Sequence, residues 1–327
     1  MSKYSKIYFI GVGGIGMSAI ARYYKFKGYP VAGYDRTPSE LTQALEKEGI
    51  DVHYTDDPDY IPKDVASTLV VYTPAIPEDL KELVYVKEHG YTLVKRSRML
   101  GELAEGQTCL AVAGTHGKTT TSTLVAHILT ESGKGCSAFL GGISKNYGTN
   151  LLTSHTPTIV AEADEFDRSF LQLHPAIAAI TAMDADHLDI YGTLEEYKKA
   201  FKAFAAQVSR RLIVKLGLDI TPEDTKAKIL HYSYDDPTAD YYAVNSKPDE
   251  VGHYIFDLVH PGGVIENIRV GIPGWVNVEN SVAAAAICLS HGVSPEDIKE
   301  AIGTYSGVKR RLDVHLNTPH LSYIDDY

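Results

Sequence analysis

Three cysteines in 327 residues are too few for a disulfide scaffold, and Cys109, Cys136 and Cys288 stand far apart, without metal-ligand spacing. They read as buried free thiols of a reducing compartment. A long apolar run is missing as well: no stretch approaches the roughly 20 residues that a bilayer-spanning helix needs. The N-terminus passes almost at once into a strand pattern, with no signal peptide. A cytoplasmic location without membrane insertion is therefore expected. Positive charge is scarce, with 31 Lys and Arg against 42 Asp and Glu and a net charge of -11. That balance argues against a nucleic-acid-binding surface. Internal repeats and low-complexity tracts are absent. The length suits two domains better than one.

What is present is organised around residues 109–123. Residues 109–113 form a short apolar run, read as a buried strand, and Leu124, Val125, Ile128 and Leu129 carry the spacing of a helix. Between them lies Gly114-Thr115-His116-Gly117-Lys118-Thr119-Thr120. This turn aims backbone N–H groups and a helix N-terminus at one point, where an anion is stabilised. Lys118 adds a positive charge for outer phosphates, and the Thr119 hydroxyl suits magnesium, which prefers hard oxygen ligands. The loop is shorter than the general G-x-x-x-x-G-K-[ST] pattern, whose first glycine would fall at Val112.

Earlier in the chain, a strand at residues 7–10 leads into Gly11-Val-Gly13-Gly14-Ile-Gly16-Met17-Ser18, then a helix, then a strand at 31–34 ending at Asp35. This is G-x-G-x-x-G with an acid about twenty residues on, the pattern of a diphosphate cradle. Asp35 is placed to accept from a ribose or sugar hydroxyl. The alternation continues with a helix at 41–48, a strand at 69–72, a helix at 79–89, a strand at 91–94 and a helix at 96–104. Such alternation predicts a mainly parallel sheet with ligands at the strand C-terminal ends. Thr73, Ala75, Arg96 and Arg98 fall at or just beyond such ends.

After the central loop, residues 141–150 are rich in glycine and polar side chains, including Lys145, Thr149 and Asn150. They form either a surface loop or a ligand loop. A strand at 158–161 runs into Glu162-Ala-Asp164-Glu165-Phe-Asp167. Acids at a strand end near a phosphate loop suit a magnesium site, the alternative being a solvated acidic turn. A strand at 176–181 is closed by Asp184-Ala-Asp186-His187-Leu-Asp189, where His187 could ligate metal or hydrogen-bond phosphate. A helix at 194–208 carries Lys198, Lys199 and Lys202 on a solvated face. From residue 240 three antiparallel strands are expected, at 241–244, 254–259 and 264–270. An Ala-rich helix at 277–289 follows, with Asn277 read as a cap. Ser294 and Pro295 open another helix. Arg310 and Arg311 lie in a basic cluster, and residues 321–327 read as a strand.

Together these motifs resemble the Mur ligase family, amide-bond ligases of peptidoglycan precursor synthesis that use ATP. Gly114-Thr-His-Gly-Lys118-Thr-Thr-Thr121, Glu162-Ala-Asp-Glu165 and Asp186-His187-Leu-Asp189 look like its ATP and magnesium motifs. Gly11-Val-Gly-Gly-Ile-Gly-Met-Ser18, Tyr72-Thr-Pro-Ala-Ile76 and Lys145-Asn-Tyr-Gly-Thr-Asn150 look most like its L-alanine-adding branch. The resemblance implies an α/β chain of three parts: a Rossmann-like UDP-sugar-binding domain at 1–107, a P-loop-type central ATP-binding domain with a small antiparallel sheet at 108–313, and the start of a C-terminal domain at 314–327. It implies UDP-N-acetylmuramate held by Gly11, Gly13, Gly14, Gly16, Met17, Ser18, Asp35, Thr73, Ala75, Arg98, Lys145, Thr149 and Asn150. ATP would sit on the 114–120 loop with Asn277, Asn280 and Arg310 or Arg311, and Mg2+ on Thr119, Glu162 and His187. Lys118, Glu162 and His187 would carry the catalysis, through an acyl phosphate that L-alanine attacks. A monomer or weak homodimer is expected.

Two departures stand out. Val276 occupies a position where the family carries His, and the chain stops at Tyr327, where the family continues into a third domain. The stretch is therefore expected to bind its nucleotides without turnover. A tripeptide-recycling ligase of the same family is one alternative. An NAD-dependent oxidoreductase using Gly11–Asp35 is another, and it leaves the 114–121 loop and both acid clusters unexplained.

Overall fold

The computed structural model describes residues 4–318 and 320–326. The chain divides into two compact units, Met1–Leu103 and Ala104–Tyr327. In the first, β1 (Lys6–Ile10), α1 (Ile15–Phe26), β2 (Val31–Tyr34), α2 (Glu40–Lys47), β3 (Asp51–His53), β4 (Thr68–Tyr72), α3 (Lys81–Glu88), β5 (Thr92–Lys95) and α4 (Arg96–Ala104) follow one another. The strands form one parallel sheet, ordered β3-β2-β1-β4-β5. Tyr8, Ile10, Val70, Leu83 and Val86 build its core on one face. β3 was not anticipated, because three residues with one apolar side chain carry no period. The third helix starts at Lys81, two residues later than the pattern suggests. Its first N–H groups are capped by Asp56, whose carboxylate accepts from Lys81 and Glu82 at 3.0 Å each. A cap donated from so far along the chain leaves no local signal.

The second unit runs β6 (Thr108–Ala113), α5 (Lys118–Glu131), β7 (Ser137–Phe139), β8 (Leu151–Leu152), β9 (Thr158–Ala163), β10 (Ile177–Ile180), α6 (Leu188–Tyr191), α7 (Leu194–Gln207), β11 (Arg211–Lys215), β12 (Lys228–Tyr232), β13 (Tyr242–Pro248), β14 (His253–His260), β15 (Gly263–Pro273), α8 (Val276–Ser290), α9 (Pro295–Thr304), β16 (Asp313–Asn317) and β17 (Ser322–Asp325). The main sheet, ordered β12-β11-β10-β6-β9-β7-β8, is parallel except for β8. The expected antiparallel sheet is present as β13-β14-β15. The short strands β7 and β8 and the edge pair β11 and β12 were not foreseen. The final strand ends at Asp325, and Tyr327 lies outside the described residues.

Helix α8 touches both β10–β12 of the main sheet and β13–β15 of the small one. Ala283, Ala284, Ala285 and Ala286 are fully buried, so the helix is apolar all round rather than striped. Alanine at these four positions lets two sheets approach one helix closely, with Val278, Val282 and Ile287 filling the remaining space. Asn277 does not cap the helix; Trp275 occupies the cap position, with no side-chain cap bond.

Candidate functional site

The central loop follows β6, the middle strand of the main sheet, and its neighbours β9 and β10 end at the same level: Ala113 pairs with Ala163 and with Ile180. Side chains just past those three ends therefore meet. Two glycines make the loop possible. Gly114 has φ +135° and Gly117 φ +82°, and a Cβ on Gly117 would lie 2.8 Å from Asn280 Oδ1. Thr181, just after β10, laces the loop: its hydroxyl donates to His116 O at 2.5 Å and contacts Ala113 O at 3.1 Å. The Thr115 hydroxyl bonds Asp184 O at 3.0 Å, so it serves the loop's shape. His116 is exposed, 3.7 Å from Asp184.

Lys118 opens α5. Its ammonium donates to Gly114 O at 2.8 Å and to Glu165 at 2.8 Å. Thr119, beside it, is buried and lies close enough to Glu162 to favour its charged form. Burial raises the Glu162 carboxyl above the ordinary carboxylate range, against Lys118 and Thr119, which lower it. Among the described residues, Glu162 Oε2 is buried without a hydrogen-bond partner. A side chain on Gly141 would collide with that carboxylate, so a glycine is required there. A buried carboxylate oxygen without a donor, next to a threonine hydroxyl, is the donor set that magnesium takes. The structure thus fits the ion at Thr119 and Glu162.

A second group of ligand atoms lies nearby in the chain. Glu165, Asp186 and His187 offer ligand atoms within 4.8 Å of one another. His187 has φ +50°, and its ring meets Phe166 edge-on. Glu165 thus joins Lys118 to the acid–histidine cluster.

Lys118, Thr119, Thr120, Glu162, Asn277, Asn280 and Arg311 all line one cleft of about 600 Å³. The asparagines brace it. Asn277 donates to Pro273 O at 2.6 Å, Asn280 donates to Asn277 at 3.1 Å, and Thr121 donates to Asn280 at 3.3 Å. Of the two arginines offered, Arg311 lines the cleft, whereas Arg310 lies 3.9 Å from Asp325. Lys145, Thr149 and Asn150 are not among the lining residues. Lys145 pairs with buried Asp313 at 2.5 Å, Thr149 accepts from Leu151 N, and Asn150 is fully buried.

In the first unit the glycine loop is built as expected. Gly11 has φ +88°, beside Thr73, with Ala75 exposed past the same strand end. Gly14 occupies the cap position of α1. Asp35 accepts from Gly13 N at 2.7 Å, so one of its oxygens holds the loop itself. The Met17 side chain sits in the core, and the buried Ser18 hydroxyl donates to Ile15 O at 3.0 Å. Arg98 is turned to Glu102 at 3.0 Å, one helical turn on, while the Arg96 guanidinium packs against Gly16.

Residues 112–288 match the Mur ligase middle domain, and residues 6–108 match the catalytic domain of the Mur ligase family. The chain belongs to the Mur ligase family. A protein named UDP-N-acetylmuramate–L-alanine ligase in Parabacteroides distasonis is 48% identical over 334 residues, covering 100% of this chain and 72% of that protein. One of the same name in Porphyromonas gingivalis is 48% identical, covering 98% and 72%. The crystal structure of a UDP-N-acetylmuramate-alanine ligase from Thermotoga maritima superposes with a TM-score of 0.87 at 28% identity, covering 98% of this chain and 74% of that one. Within this Mur ligase chain, sequence reading left out Arg96, Gly141, Thr181, Lys215 and Glu279 as site residues. Glu165 stood in a quoted motif and was legible from it. Lys215 and Glu279 pair at 2.9 Å in the cleft from 64 residues apart, and no local pattern announces such a pair.

Proposed function

We propose that the chain serves the ATP-dependent ligation of L-alanine to UDP-N-acetylmuramate. The carboxylate of the sugar's lactyl group attacks the γ-phosphate, giving an acyl phosphate and ADP. The amine of L-alanine then attacks the acyl carbon and phosphate leaves. Such a reaction needs charge neutralisation and positioning more than a nucleophile on the protein. Lys118 offers its ammonium to the outer phosphates, and the N–H groups of the 114–119 loop surround them. Thr119 and Glu162 hold one magnesium ion; His187, with Glu165 and Asp186, holds a second. Bound magnesium supplies neutralisation of phosphate and carboxylate charge. The Gly11–Gly16 loop and Arg96 take the UDP diphosphate, with Asp35 fixing the loop's shape.

The observation that carries this reading is the orphaned Glu162 oxygen beside Thr119, in the same cleft as the glycine loop and Lys118. Relatives at 48% identity that carry the alanine-ligase name favour L-alanine as the amine. Calorimetric titration with UDP-N-acetylmuramate and, separately, NAD tests the first unit: only the UDP-sugar should release heat. Titration of an ATP analogue with and without magnesium tests the second. Binding should need the ion in the wild type and lose that dependence in Glu162→Ala. Heat from NAD alone, or an unchanged magnesium dependence, overturns the assignment.

A further inference from the structure

Residues 141–150 contribute nothing to the lining of the cleft, yet they hold the segment that carries Arg311. Ser144 and Val308 form an antiparallel bridge. On either side of it, Lys145 N donates to Gly307 O and Lys309 N to Ile143 O, both at 2.9 Å. Asn146 extends the seam: its amide donates to Thr304 O at 2.9 Å and its oxygen accepts from Ser306 N at 2.8 Å. Gly142 lets the two segments touch, since a Cβ there would lie 2.5 Å from Val308 Cγ1.

Beyond the seam the chain turns sharply. Arg310 has φ +61° and Leu312 φ +42°, with Arg311 between them. Residues with a Cβ resist that conformation and keep it only where the surroundings impose it. Asp313 is the group that imposes it. One carboxylate oxygen accepts from Arg310 N at 3.2 Å, and the other takes the Lys145 ammonium at 2.5 Å. Asp313 is only 4% exposed and Lys145 33%. The exposed ring of His315 lies 3.5 Å from the oxygen that Arg310 uses. A buried carboxylate bonded at both oxygens fixes a geometry that a solvated pair would leave loose.

We infer that Lys145 and Asp313 are positioning residues for Arg311: together they hold the turn that presents this arginine to the nucleotide cleft. The inference deepens the ATP reading above and rests on it. It moves Lys145 from the sugar, where the resemblance puts it, to the support of the ATP site. A guanidinium suits phosphate because its fork of donors matches the oxygens, and that match depends on alignment. The backbone of the turn sets the alignment, so loss of the Lys145–Asp313 pair should be felt through Arg311.

A non-hydrolysable ATP analogue with magnesium is titrated by calorimetry into wild type, Arg311→Ala, Asp313→Ala and the double variant. Arg311→Ala should weaken the analogue about tenfold. Asp313→Ala should weaken it about threefold or more in the wild-type background, and less than about twofold where Arg311 is already alanine. A purely structural role would give the same factor in both backgrounds. Lys145→Met breaks the pair from its more exposed side and goes through the same cycle; the same pattern is expected, and it decides the matter if Asp313→Ala does not fold. Unaltered affinity in Arg311→Ala, unaltered affinity in the Lys145 and Asp313 variants, or an equal factor in both backgrounds overturns the inference and leaves the ATP site standing. No heat from the analogue with the wild type refutes the ATP reading instead.

Discussion

The Lys118 ammonium lies 2.7 Å from Glu165 Oε2, with the two side chains only 14% and 1% exposed. A pair so far withdrawn from water is costly to break from one side. Removing the cation strands a buried carboxylate, which typically costs roughly 3–5 kcal/mol. Lys118→Ala should therefore lower the denaturation midpoint, and adding Glu165→Gln should recover much of the loss. Chemical denaturation of the two variants measures this; a double variant no more stable than the single one would contradict the pairing.

Glu162 gives stability a pH dependence of definite sign. Burial raises its folded-state titration above that of the unfolded chain. Protonation therefore favours the fold. Its stabilising contribution is complete below the unfolded value, near ~4.3, and is lost as pH rises through the folded one. Glu162→Gln, which mimics the protonated form, should be more stable than wild type at pH 8 without magnesium, the gap closing toward pH 4. Denaturation curves at both pH values read it out. A gap that is constant, or reversed at high pH, would show that the carboxylate is not penalised by burial.

Gly141 lies against the Glu162 carboxylate in ordinary backbone conformation, so space alone requires glycine there. Gly141→Ala should cost roughly 1–3 kcal/mol through overpacking and should weaken magnesium-dependent nucleotide binding. In a Glu162→Ala background the same change should be close to neutral, because the clashing atoms are gone. Equal costs in both backgrounds would place the strain elsewhere.

What could be read in advance divides along physical lines. The 114–119 loop was legible because strand, glycines, lysine and helix sit within a dozen residues and each leaves a local mark. Glu162 and His187 were legible as an acid and a histidine at the ends of the two parallel strands that flank β6. The resemblance points to Arg98 and not Arg96 for the sugar, although both follow the same strand and only packing against Gly16 distinguishes them. Asn277 read as a cap because position alone favours it, whereas Pro273 O draws its amide inward. The short strands β3, β7 and β8 and the Lys215–Glu279 pair depend on partners distant in sequence.

The two arginines give a direct comparison. Arg96→Ala should weaken UDP-N-acetylmuramate about tenfold, the scale of one lost charge-assisted bond to a phosphate. Arg98→Ala, which removes only an exposed pair with Glu102 worth a few tenths of a kcal/mol, should leave affinity unchanged. Calorimetry on both variants decides it, and the reverse ranking would restore Arg98 to the sugar site.

The central claim is that the Gly114–Lys118 loop holds a triphosphate while the other glycine loop, in a separate unit, holds the UDP-sugar. The most direct measurement is calorimetry of Lys118→Ala against both ligands. The account predicts that magnesium-dependent binding of an ATP analogue disappears while UDP-N-acetylmuramate binds as in the wild type. Retained analogue binding, or equal loss of both ligands, would contradict it.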